Sequence, residues 1–149
     1  MRSVMEVFGA IALATKDVQV YSADRLDWGV VDARFLRAQG QIGTGLFHRT
    51  NVGEDACVVF SQAADGVAAD SFIPIIQDSA DDSTYVDCIT GQQTSTWSGA
   101  VAIKKGVVVA LPLPRFHRRY MRASVMPKST GTLTASSVVA YIEYGPNDN

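Results

Sequence analysis

A chain of 149 residues with 13 Lys and Arg against 15 Asp and Glu, for a formal net charge of -2, is long enough to bury one apolar core. It is also too nearly neutral for its whole surface to hold nucleic acid or an anionic membrane. No apolar stretch approaches the roughly 20 residues that cross a bilayer as a helix, so a single domain with no membrane-spanning helix is expected. Cys57 and Cys88 are the two cysteines; they sit in separate apolar runs without CxxC spacing and read as small core residues, with one disulfide between them left open.

In chain order, Arg2, the apolar run Val4 to Leu13 and the Ala12-Leu13-Ala14 triplet imitate a secretory signal, but Glu6 interrupts the run. A soluble protein made in the cytosol is the expectation. Residues 4–14, with Val18 to Tyr21 after the polar break at Lys16-Asp17, read as one or two strands, or as an extended arm over residues 1–14. Arg25 to Gln39, RLDWGVVDARFLRAQ, is the one helix candidate, because Val31, Phe35 and Leu36 recur at helical spacing. Gly29 weakens it, so an irregular crossover with at most a short helical turn fits equally, with Trp28 as its packing anchor. Gly40 to Gly45, GQIGTG, matches neither GxGxxG nor GxxxxGK[ST] and reads as a glycine-rich turn.

From Ala56 the pattern becomes β. Cys57 to Phe60 is bounded by Asp55 and the turn Ala63-Ala64-Asp65-Gly66, and Phe72 to Ile76 follows, where Pro74 predicts an edge strand or a bulge. Asp78, Asp81 and Asp82 with Ser79 and Ser83 form an acidic loop. Its oxygens suit a hard cation, but the spacing is not that of an EF-hand and a solvated turn is the better reading. Tyr85 to Thr90 reads as a strand, Gln92 to Ser98 as a polar stretch around Trp97, and Ala100 to Ile103 as a strand leading through Lys104-Lys105-Gly106.

Gly106 to Val125, GVVVALPLPRFHRRYMRASV, is the stretch around which the rest is arranged. Val107, Val108 and Val109 favour a pleated backbone, Pro112 and Pro114 end that strand, and a basic, aromatic strand follows with Arg115, His117, Arg118, Arg119 and Arg122. Pro127 to Gly131 is the predicted turn into a last run, Ser137 to Tyr144, joined as a hairpin or a Greek-key connection. The tail Gly145 to Asn149 is expected to fray. Short β runs punctuated by turns predict an all-β fold: an antiparallel, jelly-roll-like β-sandwich with little helix, in one domain over 1–149.

Chemistry is sparse. His48 and His117 are the only neutral-pH bases, neither lies beside a nucleophile, and GxSxG, HExxH and paired-cysteine motifs are missing, so no cofactor, metal or catalytic residue is assigned. The basic strand is the one constellation to weigh. Extended over Phe116 to Ser124, it points Phe116, Arg118, Tyr120 and Arg122 one way and Arg115, His117, Arg119, Met121 and Ala123 the other, with charge on both faces. A protein interface made by Arg115, Phe116, Arg118, Arg119, Tyr120 and Arg122 is the favoured reading. Pairing with the chain's own carboxylates near Asp78 to Asp82 comes next, and nucleic acid last, because the chain is net acidic and only Lys104-Lys105 adds another basic cluster.

The segment GVVVALPLPRFHRRYMRASVMPKSTGTLTASSVVAYIEY carries a glycine turn, a valine strand ending in LPLP, an aromatic and basic RRYxR strand, then TGT and a closing VVAYIE strand. In this it resembles the carboxyl-terminal pattern of the Bbp16-like capsid cement, or decoration, proteins of tailed bacteriophages. The segment Gln39 to Glu54 and the acidic insertion near Asp78 depart from that pattern. The resemblance implies a jelly-roll-like domain, synthesised in the host cytoplasm, that binds the outer capsid surface of the virion as a homo-oligomer, dimer or trimer. There it would bridge neighbouring major capsid subunits, with no catalysis, no cofactor, no nucleic acid and no membrane. Two alternatives stand beside it: a tail or fibre β-sandwich of the virion, and a small carbohydrate-binding or hydrolytic module using His48 or His117 with a nearby acid.

Overall fold

A computed structural model describes residues 3–28, 48–49, 56–66, 70–90, 101–114 and 116–144. Their regular structure is all strand. In chain order the strands are β1 (Ser3–Leu13), β2 (Val20–Tyr21), β3 (Leu26–Asp27) and β4 (His48–Arg49). Then come β5 (Cys57–Gln62), β6 (Asp70–Ser79), β7 (Val86–Thr90) and β8 (Val101–Ala102). The last four are β9 (Gly106–Pro112), β10 (Phe116–His117), β11 (Tyr120–Ser129) and β12 (Ser136–Tyr144).

Two antiparallel sheets form a sandwich. The first runs β1-β12-β5-β9; the second runs β2-β11-β6-β7, with β3 also on β11 and β8 also on β6. A separate ribbon pairs β10 with β4. The chain passes directly from one sheet to the other between β1 and β2, β5 and β6, β8 and β9, and β11 and β12. The link after β11 is therefore a crossing between sheets, not a hairpin.

The core lies between the inner faces. Phe8, Ile11, Leu13, Val58, Phe60, Leu111, Val138, Ala140 and Ile142 come from the first sheet, and Phe72, Ile76, Met121, Ala123 and Val125 from the second. The rings of Phe60 and Phe72 meet across the interlayer with centroids 6.0 Å apart. In β1, Phe8 and Ile11 are both buried, which strict alternation forbids. A register shift between Val7 and Gly9 changes the phase by one residue, and Gly9 supplies the φ of +93° at that bulge. The backbone N–H of Asp24 donates to the Phe8 carbonyl at 2.9 Å and holds the bulge in place.

Several expectations are sharpened or corrected. Residues 3–13 are a strand built into the first sheet and not an arm. Leu26–Asp27 pairs with β11, so the helix candidate at 25–39 does not begin where its periodicity suggests, and residues 29–39 lie outside the described residues. Pro74 is not on an edge strand. β6 is interior, and Pro74 pairs with Val125 on β11 while sitting where the opposite neighbour changes from β8 at Phe72 to β7 at Ile75, a gap that asks for no ladder N–H. The bulge is on the partner strand, beside Cys88. β11 continues through Pro127 to Ser129, displacing the predicted turn to residues 130–131. Cys57 and Cys88 are thiols on strands of opposite sheets. The turn at 40–45, the polar stretch at 92–98 with Trp97, Arg115 and the tail at 145–149 lie outside the described residues.

Candidate functional site

The basic strand does not expose two charged faces. β10 ends at His117 and the β11 ladder starts at Tyr120, so Arg118 and Arg119 sit in a break where alternation restarts. From there Met121, Ala123 and Val125 enter the core, and Arg122 and Ser124 lie on the other side of the strand, Ser124 buried there against Gln19 and the Val20 carbonyl.

The candidate interface residues are dispersed. Arg118 donates its backbone N–H to Asp78 Oδ2 at 2.9 Å and holds its Nε 3.7 Å from Oδ1 of the same buried carboxylate. Arg119 forks onto Asp27 through Nε and Nη2 at 2.8 and 3.0 Å, which raises its pKa above the ordinary value, and its guanidinium lies over the Tyr120 ring. Phe116 is in β10, paired in register with Arg49. His117 is fully buried against Trp28, ring centroids 4.5 Å apart, with Nδ1 2.8 Å from the Arg118 carbonyl. His48 is its register partner across the ribbon.

Arg122 is held differently. Arg122, Gln77 and Asp87 occupy matched register positions on β11, β6 and β7. Arg122 Nε donates to Gln77 Oε1 at 2.8 Å, and Gln77 Nε2 donates to Asp87 Oδ1 at 2.7 Å. Because an ionised carboxylate only accepts, Asp87 fixes the amide with its nitrogen toward itself and its oxygen toward Arg122. The guanidinium is clamped between two rings, 3.8 Å from the Tyr21 centroid and 3.9 Å from that of Tyr85. The Tyr85 hydroxyl donates to Asp82, which also takes the Arg25 guanidinium. Burial first, and the Asp82 hydrogen bond second, push the Tyr85 pKa upward. Arg122, Tyr21, Tyr85, Asp82 and Arg25 line a cleft of about 380 Å³ together with Ser22 and Asp24.

The acidic loop beneath this cleft is a self-satisfied turn. Asp81 Oδ1 accepts the N–H groups of Ser83 and Thr84 at 2.9 Å each and the Ser79 hydroxyl at 2.9 Å. Those bonds hold the Asp81 pKa down at about 2, the Thr84 N–H contributing most. Asp78, Asp81 and Asp82 thus face three different partners, and among the described residues no group of three or more His, Cys, Asp or Glu side chains is placed to hold a metal ion.

The second feature is a face of the first sheet. Register places Val7 opposite Tyr141 and Ala10 opposite Val139, then Tyr141 opposite Val59 and Val139 opposite Ser61, and finally Val59 opposite Ala110 and Cys57 opposite Pro112. All of these lie on the side away from the core, a side that a solvated antiparallel sheet normally makes polar. Among the described side chains, Ser61, Ser137 and Glu143 are its polar members beside the Tyr141 hydroxyl. Val59 and Cys57 are buried there, whereas Val7 and Val139 are 50% and 40% exposed and Ala10, Ala12, Ala110 and Pro112 are open.

Tyr21, Gln77 and Tyr85 were not legible as site residues. Tyr21 and Gln77 lie on β2 and β6 and Tyr85 just before β7, and sheet pairing brings all three to Arg122. Compared with known protein families and with curated proteins, the chain matches no family model and no curated sequence.

Proposed function

We propose that this chain is a capsid cement protein, which binds the outer surface of a bacteriophage head as a homo-oligomer and bridges neighbouring major capsid subunits. The observation that carries the reading is the apolar outer face of the first sheet, which spans all four strands and leaves Val7 and Val139 open. Large exposed apolar patches are avoided on monomeric proteins and mark surfaces that another body covers. The residues that resemble the cement family build this face directly: GVVVALP is β9 and VVAYIE supplies Val139 and Tyr141 of β12. The repeated crossings between the two sheets are compatible with the jelly-roll form that the resemblance implies.

Such a protein works by mass action. It binds the assembled shell and not its dissociated parts, so its binding free energy adds to the stability of the assembly. Repetition over many equivalent joints, with more than one contact per oligomer, makes modest individual interfaces effective. Virus particles encoded with this chain, purified on a density gradient, are expected to carry hundreds of copies each. Absence from the particle overturns the reading, and a few copies per particle would replace it with a tail or fibre component.

A further inference from the structure

We propose that the cleft around Arg122 is a docking site for a protein segment that presents a carboxylate side chain and, beside it, a basic one. The inference is independent of what covers the apolar face of the other sheet.

Four other basic side chains of the protein already hold carboxylates. Arg25 pairs with Asp82, Arg118 with Asp78, Arg119 with Asp27 and Lys128 with Asp17. Arg122 instead holds two tyrosine rings and a neutral amide, and among the described residues its η nitrogens have no hydrogen-bond partner and no carboxylate within ion-pair distance. The remaining edge of the guanidinium offers the parallel donors that a carboxylate accepts in a fork. Its plane is already fixed by Tyr21, Tyr85 and Gln77, so binding orders little that is not ordered beforehand.

Asp24 decides between kinds of anion. It is exposed, lines the same cleft, and its carboxylate has no hydrogen-bond or ion-pair partner among the described residues. Because Arg25 already offsets Asp82, Asp24 is the open carboxylate here; it disfavours a multiply charged phosphate beside Arg122, whereas a carboxylate on Arg122 with an ammonium or guanidinium on Asp24 satisfies both open charges. About 380 Å³ is room enough for side chains of a peptide. The outward apolar face of Tyr21, which is 58% exposed, supplies a wall for the stem of a long basic side chain.

The test uses the full chain, ¹⁵N-labelled, titrated with the blocked peptide acetyl-Ala-Glu-Ala-Lys-Ala-amide, and the NMR signals of the Arg122 Nε–H and the Tyr21 and Tyr85 rings are followed. Saturable shifts at these groups are expected at millimolar peptide, weakening with salt. Binding should be about tenfold weaker when Gln replaces Glu in the peptide, since one charge-assisted fork is lost. Arg122→Lys should lose the preference for Glu over Gln, because an ammonium cannot make the fork. Asp24→Asn alters only an exposed carboxylate and so keeps the fold; it should bind the Glu-Lys peptide no better than one with Ala in place of Lys. Equal binding of the Glu and Gln peptides overturns the proposal. So does inorganic phosphate shifting the same signals at lower concentration than the peptide, or the absence of any shift.

Discussion

The outer faces of the two sheets solve the problem of solvent in opposite ways. On the second sheet nearly every charged group has been given a partner: Asp78 takes Arg118, Asp27 takes Arg119, Asp82 takes Arg25, and Arg122 lies between two tyrosines. On the first sheet the same side of the pleat carries Val7, Ala10, Ala12, Val139, Ala110 and Pro112. The lesson is that the stretch most conspicuous as sequence, the run of arginines, is largely satisfied by the fold itself. The blandest residues leave the surface most in need of cover.

The largest expected effect comes from the layer both faces depend on. Phe60→Ala removes one ring of the Phe60–Phe72 contact and should destabilise the fold by about 3–5 kcal/mol in denaturant unfolding. A loss below about 1 kcal/mol would mean that the sheets are not held together by that core. Next is Asp78→Ala, which leaves the Arg118 N–H and guanidinium without a buried carboxylate and should cost about 2–3 kcal/mol. No change there would break the contrast, because the second sheet would then not be locked by its own pairs.

Acid should act on the second sheet's turn. The folded pKa of Asp81 is about 2 against the ordinary 3.8, so its contribution is complete above the ordinary value and is lost as pH falls from there through about 2. Asp17, lowered chiefly by its hydrogen bond from Lys128, acts in the same direction. Unfolding midpoints measured across that window should fall with pH in the natural protein and fall less in Asp81→Ala. Val139→Lys on the first sheet should change fold stability by no more than about 0.5 kcal/mol, the usual range for a surface position, while abolishing attachment to particles. Arg119→Ala removes a solvent-exposed pair and should leave the unfolding midpoint unchanged within error.

The fold class was readable because β-branched runs and turn residues alternate from residue 56 onward, and strands 57–62, 106–112 and 136–144 fall close to the runs that announced them. What escaped depends on pairing at a distance. Nothing local says that β1 shifts phase at Phe8, that β11 passes straight through Pro127, or that Leu26–Asp27 is a strand and not a helix start; each is set by the strand alongside. The site divides the same way. Arg122 was visible as one arginine among several, but its distinction from Arg118 and Arg119 rests on Tyr21, Gln77 and Tyr85, which the sequence leaves far apart. Val139 and Tyr141 sit in a run apolar on both faces, a pattern that reads as a strand buried on both sides. Register reveals that one of those sides is the open face.

The most direct test of the central claim is a density map of the intact particle at side-chain detail. The sandwich is expected on the outside of the shell, with Val7, Val139 and Pro112 pressed against a capsid subunit or a second copy of this chain. A map in which that face of the first sheet looks into solvent, or in which the shell carries no such density, would contradict it.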